Sequence, residues 1–173
     1  MSTVEALLQE LEQETQTTKR VLERVPEARL TWKPHEKSMS LGQLALHVAT
    51  VPGAIAEMSR QSPFTIGRFT QASATSAAEL IPALEQSSAK ARDILRTMDD
   101  AALAKTWRAV DGDREIFAIP VGALYRTIML NHWYHHRGQL SVYLRLIGVP
   151  VPSIYGPSAD ENPFAKRQQA VSA

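Results

Sequence analysis

Apolar residues recur at helical spacing in four segments of the chain, and this periodicity predicts four amphipathic helices. The first helix covers about residues 3–24 and ends at Pro26. The second begins at Ser40, because Ser40 and Gln43 match the reciprocal pair of a capping box. The apolar stripe of this second helix consists of Leu44, Val48, Val51, Ile55 and Met58.

Pro52 lies inside the pattern of the second helix. A proline has no backbone N–H group, and its ring clashes with the preceding helical turn. We therefore expect the second helix to be kinked near residues 48–52.

The third and fourth helices follow in the second half of the chain. The stripe of the third consists of Leu80, Ile81, Leu84, Ala91, Leu95 and Met98. The fourth begins at Pro120, which suits a first helical turn, and stops at Gly148. Its predicted core face consists of Val121, Leu124, Tyr125, Ile128, Val142, Tyr143 and Leu146. Between these helices an Asp111-Gly112 turn with short β-prone flanks predicts a small hairpin.

Four long amphipathic segments with long connections predict an all-α fold, a four-helix bundle other than the simplest meander. A chain of 173 residues can form a single domain without disulfides, and we assign residues 1–173 to one domain. Residues 149–173 or so are rich in Pro, Gly and Ser and predict an irregular tail, which Ile154, Tyr155 and Phe164 could attach to the bundle.

Composition excludes several kinds of chemistry. Cysteine is absent, so any metal site must use nitrogen and oxygen ligands. The 19 basic and 18 acidic residues are spread along the chain, which argues against nucleic-acid binding. The first residues lack the pattern of a secretory signal, and no segment approaches the roughly 18 apolar residues of a membrane span. These features predict a soluble cytoplasmic protein with no membrane partner.

Three of the five histidines lie close together, at positions 132, 135 and 136. At 100° per residue, His132 lies at the centre of the predicted core face, with His136 about 40° to one side and His135 about 60° to the other. Either can share a face with His132, and two imidazoles one turn apart can bind one metal ion. His47 lies at the edge of the second helix's stripe and is the candidate third ligand, whereas His35 lies in a polar connection and is left out.

A structural explanation competes with this metal site. A lone histidine near an apolar face is commonly a core residue with satisfied hydrogen bonds, and His135 fits a surface or supporting role. Three histidines facing a core favour a metal, because burying unpaired imidazoles costs free energy. Gln139 and Tyr143 on the same face either line the site or are core polar residues. Neither the Glu-x-x-His pairs of di-iron bundles nor a His-Glu-x-x-His motif occurs.

Three runs of sequence resemble a known family. They are WKPHEKSMSLGQLALH (residues 32–47), NHWYHHRGQL (131–140) and GVPVPSIYGPSADE (148–161), and they are similar to signature regions of the DinB-like, or DinB/YfiT, superfamily. The resemblance implies an up-down-down-up four-helix bundle, often a homodimer, that holds a divalent metal such as nickel or zinc. Its ligands fall on His47, His132 and His136, so the resemblance selects His136 over His135. Trp133 departs from the acidic residue that such proteins often carry at this position.

These observations lead to three hypotheses for function. The first is a metal-dependent enzyme that activates a bound thiol or water, as a thiol transferase or hydrolase, and relatives that transfer low-molecular-weight thiols support it by resemblance. The second is a metal-binding or stress-response module without turnover, and the third is a structural bundle with a vestigial site. No catalytic residue is identified, and the polar groups that could assist the metal are Gln43, Arg137, Gln139 and Tyr155.

Overall fold

The computed structural model describes residues 1–67 and 70–165 and is predominantly helical, with one small sheet. The helices are α1 (Thr3–Leu22), α2 (Leu41–Ser59), α3 (Leu80–Arg96), the short α4 (Asp100–Ala104), α5 (Val121–Ala123) and α6 (His132–Leu146). A π-helical segment, Leu124–Asn131, joins α5 to α6, and two 3₁₀ turns span Glu27–Arg29 and Ala77–Glu79. The part of the tail beyond residue 165 lies outside the described residues.

The start of α2 confirms the predicted capping box. The Ser40 hydroxyl accepts a hydrogen bond from the Gln43 N–H at 3.1 Å, and the Gln43 side-chain oxygen accepts one from the Ser40 N–H at 2.9 Å. Two N–H groups without helical partners are thereby satisfied. α2 continues through Pro52 to Ser59 as one helix. No helix among residues 1–67 and 70–165 is long and apolar enough to cross a bilayer.

α2 is the central helix of the fold. It packs most extensively against α3 and also contacts α6, the π-helical segment and α1. α2 and α3 approach closely at Gly53, where a Cβ atom would lie 2.8 Å from the Ser87 carbonyl oxygen. The Gly53 N–H also donates a hydrogen bond to the Ser87 hydroxyl at 2.8 Å. The core is therefore built by helices that pack directly against one another. The up-down-down-up order of these helices stays a prediction.

The small sheet contains three strands, β1 (Phe64–Thr65), β2 (Thr106–Asp111) and β3 (Arg114–Pro120), in the order β1-β2-β3. β2 and β3 are antiparallel and meet at the Asp111-Gly112 turn, where Gly112 has a φ of +59°, so the predicted hairpin is confirmed. β1 pairs parallel to β2 and was not predicted, because two residues are too few to show a period. The prediction of an all-α fold is therefore wrong in this respect, because the described part of the chain contains a small sheet beside its helices.

The predicted core face of the last helix is wrong in its second half. Val142 and Leu146 are 56% and 61% exposed, whereas the buried residues of α6 are Trp133, Arg137, Leu140 and Leu144. The π-helical segment winds more loosely than an α-helix, so a stripe extrapolated at 100° per residue loses its phase there. His132 consequently lies at the half-buried margin of the core and not at its centre.

A buried ion pair joins α1, α6 and the tail. Arg137 is 1% exposed, and its guanidinium lies 2.6 Å from the Glu14 carboxylate, whose side chain is 6% exposed. It also donates to the Thr18 hydroxyl at 3.1 Å and lies over the rings of Tyr134 and Tyr155. The Tyr155 hydroxyl bonds both Arg137 and Glu14, so this residue attaches the tail as predicted. Phe164 is 53% exposed and does not show the predicted attachment.

Candidate metal centre

Three histidine side chains from two helices converge at one edge of the helical core. His47 comes from α2, and His132 and His136 come from the first turns of α6. One ring nitrogen from each lies within 4.8 Å of the others, and the Nε2 atoms of His47 and His132 are 3.0 Å apart. The three rings meet nearly edge to face, with centroids 4.4 to 5.2 Å apart. We call these residues the histidine triad, and their arrangement could hold a metal ion.

Helix geometry explains this convergence. His132 and His136 are four residues apart in α6, so their side chains lie on the same face one turn apart. His47 is brought to them because α2 packs against α6. His135 is exposed, and its ring lies beside that of His136 with centroids 5.0 Å apart, but its nitrogens are not among those that converge in the cluster.

The environment keeps the triad neutral. Burial, together with the neighbouring His136 and His132, lowers the pKa of His47 from its ordinary value of 6.5 to about 4. Burial is also the largest cause that lowers the pKa of His132 and of His136. At neutral pH the rings therefore carry no charge, and each has a nitrogen lone pair for a metal ion.

Gln139 fixes the tautomer of one ring. Its side-chain oxygen lies 2.7 Å from Nδ1 of His136. Because an amide oxygen can only accept, the proton of the His136 ring is on Nδ1 and the lone pair is on Nε2. Histidine ligands of metals are commonly oriented in this way by a second partner. Of the two alternatives that the sequence left open for Gln139, the one in which it lines the site is correct.

The other polar groups considered from the sequence have different partners. Gln43 is engaged in the α2 capping box, and Arg137 and Tyr155 belong to the buried ion pair with Glu14. Tyr143 donates from its hydroxyl to the Met39 carbonyl at 3.4 Å, so it takes a core polar role. None of these groups contacts a triad ring among the hydrogen bonds of the described residues.

The donor set fits a transition metal. It consists of three neutral imidazole nitrogens, with no carboxylate or thiolate among the described residues of the cluster. Imidazole suits zinc, copper, iron and nickel, whereas calcium and magnesium prefer oxygen ligands. Three protein ligands leave at least one coordination position for another molecule, as in catalytic zinc sites.

The structure contains a groove between α2 and α3, which the sequence did not predict and which no triad residue lines. Its volume is about 510 Å³, within the usual range for ligand pockets. Thr50, three residues after His47, is the lining residue that is nearest in sequence to the triad. The remaining lining residues are Gly53, Ala54, Ile55, Glu57, Met58, Gln61, Phe64, Ala83, Gln86, Ser87 and Lys90. We call it the α2–α3 groove. Its walls come from segments that are distant in sequence, so no local sequence pattern indicates it.

We expect the metal-free protein to lose stability as the pH falls from 6.5 to about 4. In this window the unfolded chain protonates His47 but the folded protein does not, so added protons favour unfolding. Urea unfolding of the wild type and of His47→Gln at pH 7 and pH 5 measures the effect. Carboxylates contribute equally to both proteins, so the wild type should lose more stability than the variant. Equal losses in the two would contradict the prediction.

Comparisons of the sequence and of the structure with known proteins lead to the same family. The model of the DinB family matches residues 1–168. A DinB-like protein from Bacillus cereus, known from its crystal structure, is 25% identical and superposes with a TM-score of 0.69, over 87% of this chain and 97% of that chain. The DinB-like protein YjoA of Bacillus subtilis is 21% identical with a TM-score of 0.62, over 84% of this chain and 95% of that chain.

A curated relative matches over a short segment. The uncharacterized protein YrdA of Bacillus subtilis is 44% identical over 43 residues, which is 25% of this chain and 25% of that protein. The chain thus aligns with about a quarter of this relative's length. The family assignment rests instead on the family model, which covers nearly the whole sequence: the protein belongs to the DinB family.

Proposed function

We propose that this protein binds one divalent metal ion, nickel or zinc, through His47, His132 and His136 and acts as a metal-dependent enzyme. The observation that carries the proposal is the histidine triad, in which one nitrogen from each of three half-buried rings lies within 4.8 Å of the others. The lowered pKa values of the three rings support it, because only neutral imidazole binds a metal.

The chemistry proposed is activation of a thiol or a water molecule. A metal ion at an open site lowers the pKa of such a ligand toward neutrality. The triad contributes no negative charge, so it leaves the charge of the cation undiminished for this purpose. Gln139 holds the His136 ring with its Nε2 lone pair free. The reaction class that follows is transfer of a low-molecular-weight thiol to an electrophile, or hydrolysis.

The α2–α3 groove is the proposed binding space for the substrate. Thr50, which lines it, follows His47 by three residues, a rise of about 4.5 Å along the axis of α2. Much of its lining is apolar, with Ile55, Met58 and Phe64 as its larger apolar residues. A groove of this kind suits a small molecule with an apolar body. We also propose that the protein forms a homodimer and acts in the cytoplasm.

The test is turnover with and without metal. Protein stripped by a chelator and reloaded with Ni²⁺ or Zn²⁺ is assayed with a panel of cellular thiols and an electrophile, and with ester substrates in water. We expect product formation only with the metal-loaded protein. No turnover of any substrate by fully loaded protein would contradict the enzymatic proposal and favour a metal-binding module.

Blocking the groove should separate substrate binding from metal binding. We expect Ala54→Trp, at an exposed residue of the groove, to reduce turnover about 10-fold or more by displacing the substrate, without loss of metal. Ala101→Trp, at an exposed position of α4 outside the groove, is the matched control and should keep full activity. Equal rates in the two variants would place the substrate elsewhere.

One observation favours the alternative of a metal-binding or stress-response module without turnover. Apart from bonds among the triad itself, Gln139 provides the one side-chain hydrogen bond to its rings within residues 1–67 and 70–165. A neutral amide cannot act as a general acid or base at neutral pH. A module of this kind should bind the metal as tightly as an enzyme but give no product in the turnover assay.

A further inference from the structure

Pro52 leaves one carbonyl of α2 without its helical partner. In an α-helix the carbonyl of each residue accepts from the N–H four residues later, and for Val48 that residue is Pro52. Val48 is fully buried, so no water can replace the missing donor without cost. The structure supplies another donor, because Nε1 of Trp133 lies 2.7 Å from the Val48 carbonyl oxygen.

This hydrogen bond joins the two residues that follow triad members in sequence. Val48 comes directly after His47, and Trp133 comes directly after His132. Trp133 is fully buried, and its bond crosses from α6 to α2. A sliding or rotation of α6 that broke the bond would carry His132 and His136 with it, because they belong to the same rigid helix. The Nε2 atoms of His47 and His132, now 3.0 Å apart, would then separate.

We propose that Trp133 is a positioning residue for the histidine triad, and that Pro52 makes this possible by freeing the Val48 carbonyl. The indole N–H sets the register of α6 against α2 before any metal binds. The proposal rests on the proposed function, since it describes how the same site is prearranged. It also gives Trp133 a role that a carboxylate at this position would fill differently, because the indole bonds the facing helix and not a ligand ring.

The chain contains a matched control for this role. Trp107 is also buried, at 1% exposure, and its Nε1 also donates to a carbonyl of α2, that of Met58, at 3.2 Å. Met58 lies three turns beyond His47, far from the triad along the helix. Trp133→Phe and Trp107→Phe therefore remove the same indole and the same kind of hydrogen bond from the same helix. They differ in whether the bond adjoins the triad. They also differ in that the Met58 carbonyl accepts a second hydrogen bond, from the Gln61 N–H at 3.2 Å.

The experiment compares metal affinity with stability. Zn²⁺ affinity is measured by competition with a chelator, coordination by the visible spectrum of the Co²⁺-loaded protein, and stability by urea unfolding of the metal-free protein. We expect both variants to lose stability, but only Trp133→Phe to lose Zn²⁺ affinity, by about 10- to 100-fold, and to alter the Co²⁺ spectrum. Equal affinities in the two variants would overturn the proposal.

A double variant tests whether Trp133 positions the triad or only supplies a hydrogen bond to the Val48 carbonyl. Adding Pro52→Ala to Trp133→Phe restores a helical N–H donor to Val48, so stability should recover in part while Zn²⁺ affinity stays low. Recovery of affinity together with stability would overturn the role of Trp133 as a positioning residue. Failure of the wild type to bind Zn²⁺, Ni²⁺ or Co²⁺ would instead overturn the proposed function itself, and the positioning role with it.

Discussion

Replacing His132 by alanine is expected to lower the affinity for a divalent metal by more than about 100-fold, beyond the loss typical of changes in the partners of ligands. The three triad rings form a triangle, in which the ring centroid of His132 is 5.2 Å from that of His47 and 4.4 Å from that of His136. Its removal leaves two nitrogens on different helices. His136→Ala should have the same effect for the same reason.

His135→Ala is the matched control for these variants. His135 is exposed and directly precedes His136, and its ring centroid lies 5.0 Å from that of His136. Its replacement therefore removes a neighbouring imidazole from the same turn but none of the three converging nitrogens. Elemental analysis of the purified proteins, after reloading with Ni²⁺ or Zn²⁺, should show about one metal per chain in the wild type and in His135→Ala. Full metal content in both His132→Ala and His136→Ala would rule out the proposed site.

Replacing Glu14 by glutamine should lower the free energy of unfolding by about 3–5 kcal/mol, the loss expected when one partner of a buried ion pair is removed. The guanidinium of Arg137 would keep its hydrogen bonds to Thr18 and Tyr155 but would lose its only carboxylate within 4.0 Å among the described residues. An uncompensated charge would then remain in a site that is 1% exposed.

Urea unfolding of Glu14→Gln, compared with Glu85→Gln, measures this effect. Glu85 forms an ion pair with Lys19 at 2.8 Å, but its side chain is 59% exposed and water screens the interaction. Its replacement should therefore change stability much less. Similar losses in the two variants would show that the Glu14–Arg137 pair contributes no more than an exposed one.

Features that depend on neighbouring residues could be predicted from the sequence. The capping box at Ser40 and the turn at Gly112 involve contacts within three or four residues, and both are present. The phase of α6 could not be predicted, since nothing local indicates the π-helical segment before it. The burial of Arg137 was missed for a similar reason, because its partner Glu14 lies 123 residues earlier in the chain.

The convergence of His47, His132 and His136 was predicted better than the phase of the helix that carries two of them. His47 and His132 were selected because they lie near apolar stripes, and the i,i+4 spacing allowed His136 to join them. Periodicity alone left His135 equally possible, and only the resemblance to the DinB-like superfamily excluded it. The hydrogen bond from Trp133 to the Val48 carbonyl, which Pro52 leaves without a helical donor, could not be predicted from the sequence, because it exists only once α2 and α6 are packed.

The residues of α6 form two neighbouring rows that differ in burial. Trp133, Arg137, Leu140 and Leu144 are buried and bond or pack inside the protein, while the row beside it contains the half-exposed His132 and His136. Residues of the second row are only half-buried and lie at the margin of the packed interior. Substitutions at His132 and His136 can therefore change the chemistry of this surface while the buried row keeps the protein folded.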